Sequence, residues 1–286
     1  MPSLIDIRRR IRSVKNTQQI TRAMKMVSAA KLRRAQDRVV SARPYARLLQ
    51  RMISDVAGAL ASDERVASLP LLAQRPERKI QLVLVTADKG LAGAFNTNLI
   101  KASQRFLEER PDASVEIEAV GRKGRDFWKK RNVVVSGEYI GLSGKVRYTD
   151  AAAIAKKAVE RFASAEIDAV YLINNEFRSV VSQKLSVTRV LPVEIPAGAE
   201  SVDFLFEQPP AGMLADLLPR YVEIALYGAM LESTAAEHAA RMTAMDAATS
   251  NASEMIDKLT LYMNRVRQAS ITKEIIEVVS GAAAAE

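Results

Sequence analysis

Few residues in this chain have the types and spacing that do chemistry. The most suggestive are in the loop Asp88-Lys89-Gly90-Leu91-Ala92-Gly93-Ala94-Phe95-Asn96. It follows a strand-like run from Lys79 to Thr86, where nucleotide-binding loops of α/β sheets sit. A phosphate cradle needs four residues between its first Gly and a Gly-Lys-Ser/Thr ending, and this loop does not have them. Its two glycines, three apart, also miss the dinucleotide pattern. Gly141-Leu142-Ser143-Gly144-Lys145 comes closer, but Val146 replaces the required hydroxyl and the leading Gly is missing. Both segments read as turns. There is a single histidine, His238, and no cysteine. Disulfides and thiol chemistry are excluded, and metal binding or His-dependent acid–base work has too few residues to draw on. His238 lies among Ala235, Ala236 and Ala239 without a nucleophile-elbow pattern, so a solvent-facing or seam-edge position is expected. Glu108 and Glu109 fall on an exposed helical face. No catalytic residue, cofactor or metal site is assigned.

The elements around these residues carry more information than the residues do. Ser3 to Arg43 runs 41 residues without Gly or Pro, and Ala229 to Ser280 runs 52. At 1.5 Å per residue these would be helices of roughly 60 and 80 Å, far beyond the usual three turns. Two such helices from opposite ends predict a shaft projecting from a body. Ser3 is a plausible cap with Asp6 three residues on, favourable at the positive end of a helix. Leu4, Ile7, Ile11 and Val14 line one face. The apolar character then lapses at Gln18 and Thr21 and resumes in a shifted phase at Ile20, Met24 and Val27, which predicts a slip in the coiled coil. Pro44 must kink or end the helix, although helix-like sequence continues to about Leu60. In the C-terminal segment Met245, Ala248, Ala252, Met255, Leu259, Tyr262, Val266 and Ala269 alternate three and four steps apart, broken by Lys273 and resumed at Ile276. An antiparallel pairing of the two segments is the economical solution, since neither helix is stable alone.

Between them the period changes. Strands are expected at Lys79–Thr86, Val115–Val120, Val133–Val135, Ala169–Ile173 and Lys184–Val190. Helices are expected near Asn98–Glu109 and Arg122–Arg131, and from a Thr149-Asp150 cap to Ala163. Alternating strands and helices imply a mostly parallel sheet. Residues 192–210 read as a surface linker. The fold class is therefore α/β, with a long antiparallel coiled coil of the N- and C-terminal helices plus a central mostly parallel α/β domain. The expected divisions are 1–60, 78–195 and 211–286.

The formal charge is +9, unevenly placed. Met1 to Arg51 holds 14 Lys and Arg against Asp6 and Asp37, a net of +12, leaving −3 for the rest. Such a segment predicts an acidic partner. A basic coiled-coil nucleic-acid-binding protein is one reading, but it predicts aromatic residues among the basic ones, and none occurs up to Arg43. A nucleotide-using enzyme is another, and the failed phosphate motifs oppose it. No apolar run approaches the ~20 residues that span a bilayer. The N-terminus lacks the apolar core of a signal peptide, and its basic, acid-poor character resembles a transit peptide only superficially. A cytoplasmic location is expected.

Specific runs then identify a family. Ser3-Leu4 through Ile7-Arg8 to Ile11, Ser13-Val14-Lys15-Asn16-Thr17 and Ile20-Thr21-Arg22-Ala23-Met24-Lys25-Met26-Val27 closely resemble the γ subunits of F-type ATP synthases. So does Arg267-Gln268-Ala269-Ser270-Ile271-Thr272-Lys273-Glu274, with Glu277 and Gly281-Ala282 beyond it. The loop Asp88 to Asn96 matches the family's Gly-Leu-x-Gly-x-x-Asn. The resemblance spans essentially the whole chain, and with no evident transit peptide a bacterial source is expected. With no cysteine, the thiol switch of chloroplast members cannot exist here.

The resemblance implies a non-catalytic central rotor stalk inside a ring of three α and three β subunits. The α/β domain would lie against the ε subunit and the membrane c-ring, with no nucleic acid and no insertion into the membrane. The complex would sit at the cytoplasmic face of the bacterial inner membrane. Carried over by position, Arg267 and Gln268 would contact β subunits. Met24 and Arg241 would influence coupling, and Thr272 and Glu274 belong to the C-terminal signature.

Overall fold

A computed structural model describes residues 3–59, 69–131, 133–180, 182–194 and 210–283. Two helices frame the chain, α1 (Leu4–Ala59) and α5 (Pro210–Ala283), of 56 and 74 residues. The chain divides into two compact units, Met1–Ser28 with Met242–Glu286, and Ala29–Arg241. The division falls inside both long helices.

The first unit is an antiparallel helix pair. Ser3 caps α1 reciprocally with Asp6. The Asp6 amide donates to Ser3 Oγ at 3.2 Å, while the Ser3 amide and hydroxyl donate to Asp6 Oδ2 at 3.3 and 2.8 Å. These bonds hold the Asp6 carboxyl below its ordinary range. Direction and register follow from two cross-helix contacts, Thr21 with Thr249 at 2.8 Å and Lys25 with Asp246 at 2.6 Å. As one number rises the other falls.

The phase slip expected in α1 does not occur. The covered face runs Leu4, Ile7, Ile11, Val14, Gln18, Thr21, Lys25 and Ser28 in unbroken steps of three and four, and continues at Leu32, Ala35 and Val39. Ile20 and Val27 are 60% and 55% exposed. In α5 the seam shares Met245, Ala248, Ala252, Leu259 and Val266 with the expected one. However, Ile256 and Met263 take the intermediate places, leaving Met255 and Tyr262 exposed. The seam also ends at Ser270, and Ile276 does not resume it. By the observed register Leu4 stands level with Val266 and Arg267, so the described residues beyond Ser270 lie past the start of α1.

In the second unit, α1 continues through Pro44 rather than ending there. Proline withholds one helical hydrogen bond. Burial of Leu49, Ile53 and Val56 offsets that loss, as does Arg43, which donates to Glu232 Oε1 at 3.1 Å and to the Phe177 carbonyl at 2.8 Å. The sheet is ordered β3-β2-β1-β4-β5. Its strands are β1 (Lys79–Val85), β2 (Ser114–Val120), β3 (Val135–Tyr139), β4 (Ala169–Phe177) and β5 (Gln183–Leu191). All neighbours are parallel except β4 with β5. The covering helices are α2 (Phe95–Glu108), α3 (Arg122–Trp128) and α4 (Tyr148–Ala163). Central β1 is a continuous buried run because both its faces are covered. Ile80, Leu82 and Leu84 pack with Ile117, Ile173, Leu99, Phe106, Trp128 and Ala236 of α5.

Two local expectations fail. The third strand starts at Val135, not Val133, and Val134 is 63% exposed. Its true core is the polar Ser136-Gly137-Glu138, paired over buried Glu118. A Cβ on Gly137 would lie 2.1 Å from Glu118 Oε1, so any side chain there would have to displace the Glu118 carboxylate from its partners. Nor does Thr149-Asp150 cap α4. The helix begins at Tyr148, and Asp150 instead accepts from Arg147 at 2.8 Å. The linker expected at 192–210 falls, for 195–209, outside the described residues.

Candidate interaction surfaces

In an α/β sheet of this kind a ligand would enter beyond the carboxyl ends of the parallel strands. Here that crevice is occupied by the chain itself. The Ser233 hydroxyl of α5 donates to the Val85 carbonyl at 3.4 Å, and Met230 and Glu237 fill the space against Thr86, Gly121 and Ser143. About 10 Å³ remains, barely room for one water.

The loop after β1 is built for closure. Asp88 accepts from the amides of Arg122 and Gly141, each at 3.0 Å, and from the Ser143 hydroxyl at 2.9 Å. Three loops thus converge on one carboxylate, which would repel a phosphate. Thr86 Oγ1 accepts from the Gly124 amide at 2.9 Å, and Asn96 Oδ1 from Ala87 at 2.9 Å. Gly121, at φ 100°, allows the close approach, because a Cβ there would sit 2.1 Å from the Thr86 carbonyl.

Arg241 is buried within this unit. Its guanidinium donates to Glu237 Oε1 at 2.7 Å and to the Gly90 carbonyl at 3.2 Å, tying α5 to the loop. His238 lies 3.4 Å from it and is buried, not solvent-facing or at a seam edge. Burial, then Arg241 and Lys31, push its pKa down to about 4, so the imidazole is neutral. Burial raises the Glu237 carboxyl against the opposing pull of Arg241. Glu118 is a second buried carboxylate. It accepts from Gln81 at 2.7 Å, Tyr139 at 2.8 Å, Ser136 at 3.1 Å and Lys157 at 3.2 Å, and burial together with Glu118 raises the Tyr139 hydroxyl. Among the described residues no group of acidic, His or Cys side chains could hold a metal.

In the first unit, Arg267 and Gln268 are exposed on the last paired turn of α5. Thr272 donates to the Gln268 carbonyl at 2.9 Å, and Glu274 accepts from Ser270 at 3.3 Å. Beyond them Ile271, Ile275, Ile276, Val278 and Val279 are 49–72% exposed, which makes an apolar end on a solvent-facing helix. Met24 is half-buried beside the seam. Arg8, Arg9, Arg10, Arg12, Lys15 and Arg22 are all exposed. The structure thus groups Arg267, Gln268, Thr272 and Glu274 on one stretch and places Arg241 in the α/β unit. Sequence reasoning missed the Asp88 clamp and the Thr21–Thr249 pair. An Asp just past a strand was the signal for the first; the polar lapse in the heptad was the signal for the second.

No described helix is long and apolar enough to cross a membrane. A family model described as ATP synthase matches residues 3–285. The ATP synthase gamma chain of Solibacter usitatus is 70% identical over the whole of both chains. That of Anaeromyxobacter sp. (strain Fw109-5) is 51% identical over 99% of each. Among solved structures, a chain of the central stalk and c-ring of Tetrahymena thermophila mitochondrial ATP synthase matches at 25% identity. Its TM-score is 0.61, over 80% of this chain and 99% of that one. A chain from the Euglena gracilis mitochondrial enzyme shares the fold at 19% identity and TM-score 0.66, over 98% of this chain and 94% of its own. From residue 3 to residue 285, and at 70% identity to a full-length relative, the chain belongs to the ATP synthase gamma chain family.

Proposed function

We propose that this chain is the central rotor stalk of a bacterial F-type ATP synthase. It would couple rotation of the membrane c-ring to conformational change at the catalytic β subunits. The observation that carries the reading is the capped antiparallel helix pair, with its exposed apolar end, in a chain that belongs to the family along its length. Residues 1–60 and 211–286 supply the stalk, and 78–195 the domain toward the ε subunit and the ring. A non-catalytic role is supported by the α5 side chains that fill the crevice where an α/β sheet would take a nucleotide. The complex works at the cytoplasmic face of the inner membrane, with this chain peripheral.

The coupling is a matter of symmetry. Two helices have no threefold axis, so inside a threefold ring they stabilise a different conformation at each catalytic site. A third of a turn exchanges those conformations and converts torque into changed nucleotide affinity. Reciprocity requires ATP hydrolysis to drive the stalk in reverse. Exposed arginines on α1 suit an acidic partner surface, because long-range attraction guides the stalk without locking it at one angle.

Mixing the chain with the α and β subunits of its own organism tests this. The chain alone should be inactive, and the assembled complex should hydrolyse ATP. Arg267→Ala with Gln268→Ala should lower steady-state turnover by roughly tenfold, about 1.4 kcal/mol of lost coupling. Failure to assemble would overturn the reading.

A further inference from the structure

The two helices of the first unit share a polar layer of buried Thr21 and half-buried Thr249. Thr21 Oγ1 and Thr249 Oγ1 are 2.8 Å apart, and Thr21 is 7% exposed. Each hydroxyl also reaches a carbonyl of its own helix, Thr21 that of Gln18 at 3.0 Å and Thr249 that of Met245 at 2.7 Å. A threonine hydroxyl has one proton to donate. Two protons therefore serve three hydrogen bonds, and closing the cross-helix bond draws a proton from one of the bonds back to the helix. When the cross-helix bond opens, that proton returns to Gln18 or Met245, and no buried donor is orphaned. Opening and closing are nearly balanced in hydrogen bonds.

The adjacent layers hold no more firmly. Gln18 stands level with Ala252, and Ser28, 3% exposed, offers no apolar side chain. Lys25 and Asp246 pair at 2.6 Å with side chains 42% and 60% exposed, a weak and salt-screened contact. Toward the chain's ends, by contrast, Leu4, Ile7, Ile11 and Val14 run along Ile256, Leu259, Met263 and Val266, where apolar interlocking resists slip.

We propose that the Thr21–Thr249 layer is a torsional joint, where the paired helices twist slightly against each other and return. This rests on the stalk reading and adds where along the coiled coil twist is taken up. A register pin, the usual role of a buried polar seam pair, gains its hold from the cost of leaving its groups without a partner when the register slips. Each of these threonines keeps a partner in its own helix.

The absence of cysteine allows a clean test. In the complex with α and β subunits, Thr21→Cys with Thr249→Cys places one disulfide across the joint. With the catalytic ring immobilised and no nucleotide, the angular spread of a probe on the α/β domain is measured. Oxidation should narrow the spread and reduction should restore it. Thr21→Val with Thr249→Val should narrow it as well, while Thr21→Ser with Thr249→Ser should keep the original width. Equal widths before and after complete oxidation, or in the Val and Ser pairs, would overturn the joint. The stalk reading would survive that result if the unmodified complex assembles and hydrolyses ATP, and would fall only if it does not.

Discussion

At the scale of single residues, the informative group is His238 with Glu237 and Arg241. Burial and two nearby cations keep the imidazole neutral in the folded chain, with a pKa of about 4 against 6.5 when free. A depressed histidine contributes stability above pH 6.5 that is lost as the pH falls toward 4, because the unfolded chain takes the proton first. His238→Gln should flatten that loss by on the order of 3 kcal/mol, read from thermal melts stepped through this window. Glu237 works in the opposite sense. Its raised carboxyl favours the folded state at low pH and less so as the pH climbs. Comparison of variant with parent therefore isolates the histidine. None of this was legible in Ala235-Ala236-x-His238-Ala239, which reads as bland helix. The loop carbonyl of Gly90 lies 151 residues from Arg241, and only folding brings them together.

At the scale of elements, the seam decides what each apolar residue is worth. Ile7 is 2% exposed and Ile20 60%. Ile7→Ala should cost about 2 kcal/mol or more, and Ile20→Ala under about 0.5 kcal/mol, measured as helix signal lost on heating the isolated chain. The sequence pattern pointed instead to a shift of phase onto Ile20. It erred because hydropathy counts Gln18 and Thr21 as interruptions. In the structure Thr21 is buried with its hydroxyl on the Gln18 carbonyl, Gln18 is half-buried, and the heptad passes straight through both. The third strand failed for a related reason. Ser136-Gly137-Glu138 carries no strand signal, and its place is set by the buried Glu118 beneath it.

At the scale of the whole molecule, the chain carries surface that its own fold does not use. Residues 271–280 are exposed along α5. Deleting 271–286 should therefore leave the thermal midpoint of the isolated chain within about 2 °C of the parent. A larger fall would show that the terminal turns are held by contacts within the chain. Legible in the sequence alone were two long helices from unbroken runs without Gly or Pro, the Ser3–Asp6 cap, a mostly parallel sheet from buried apolar strands, and the family from its terminal signatures. Those follow from interactions within a few residues, or from patterns dense enough to survive exceptions. Folding alone settles where the covered faces depart from the apolar pattern, at Gln18, Thr21, Ile256 and Met263, that Pro44 is spanned, that α5 fills the ligand crevice, and that Arg241 grips Gly90. Each of those depends on groups distant in sequence satisfying one another's hydrogen bonds or excluding one another's water, and no local pattern encodes the distance between them.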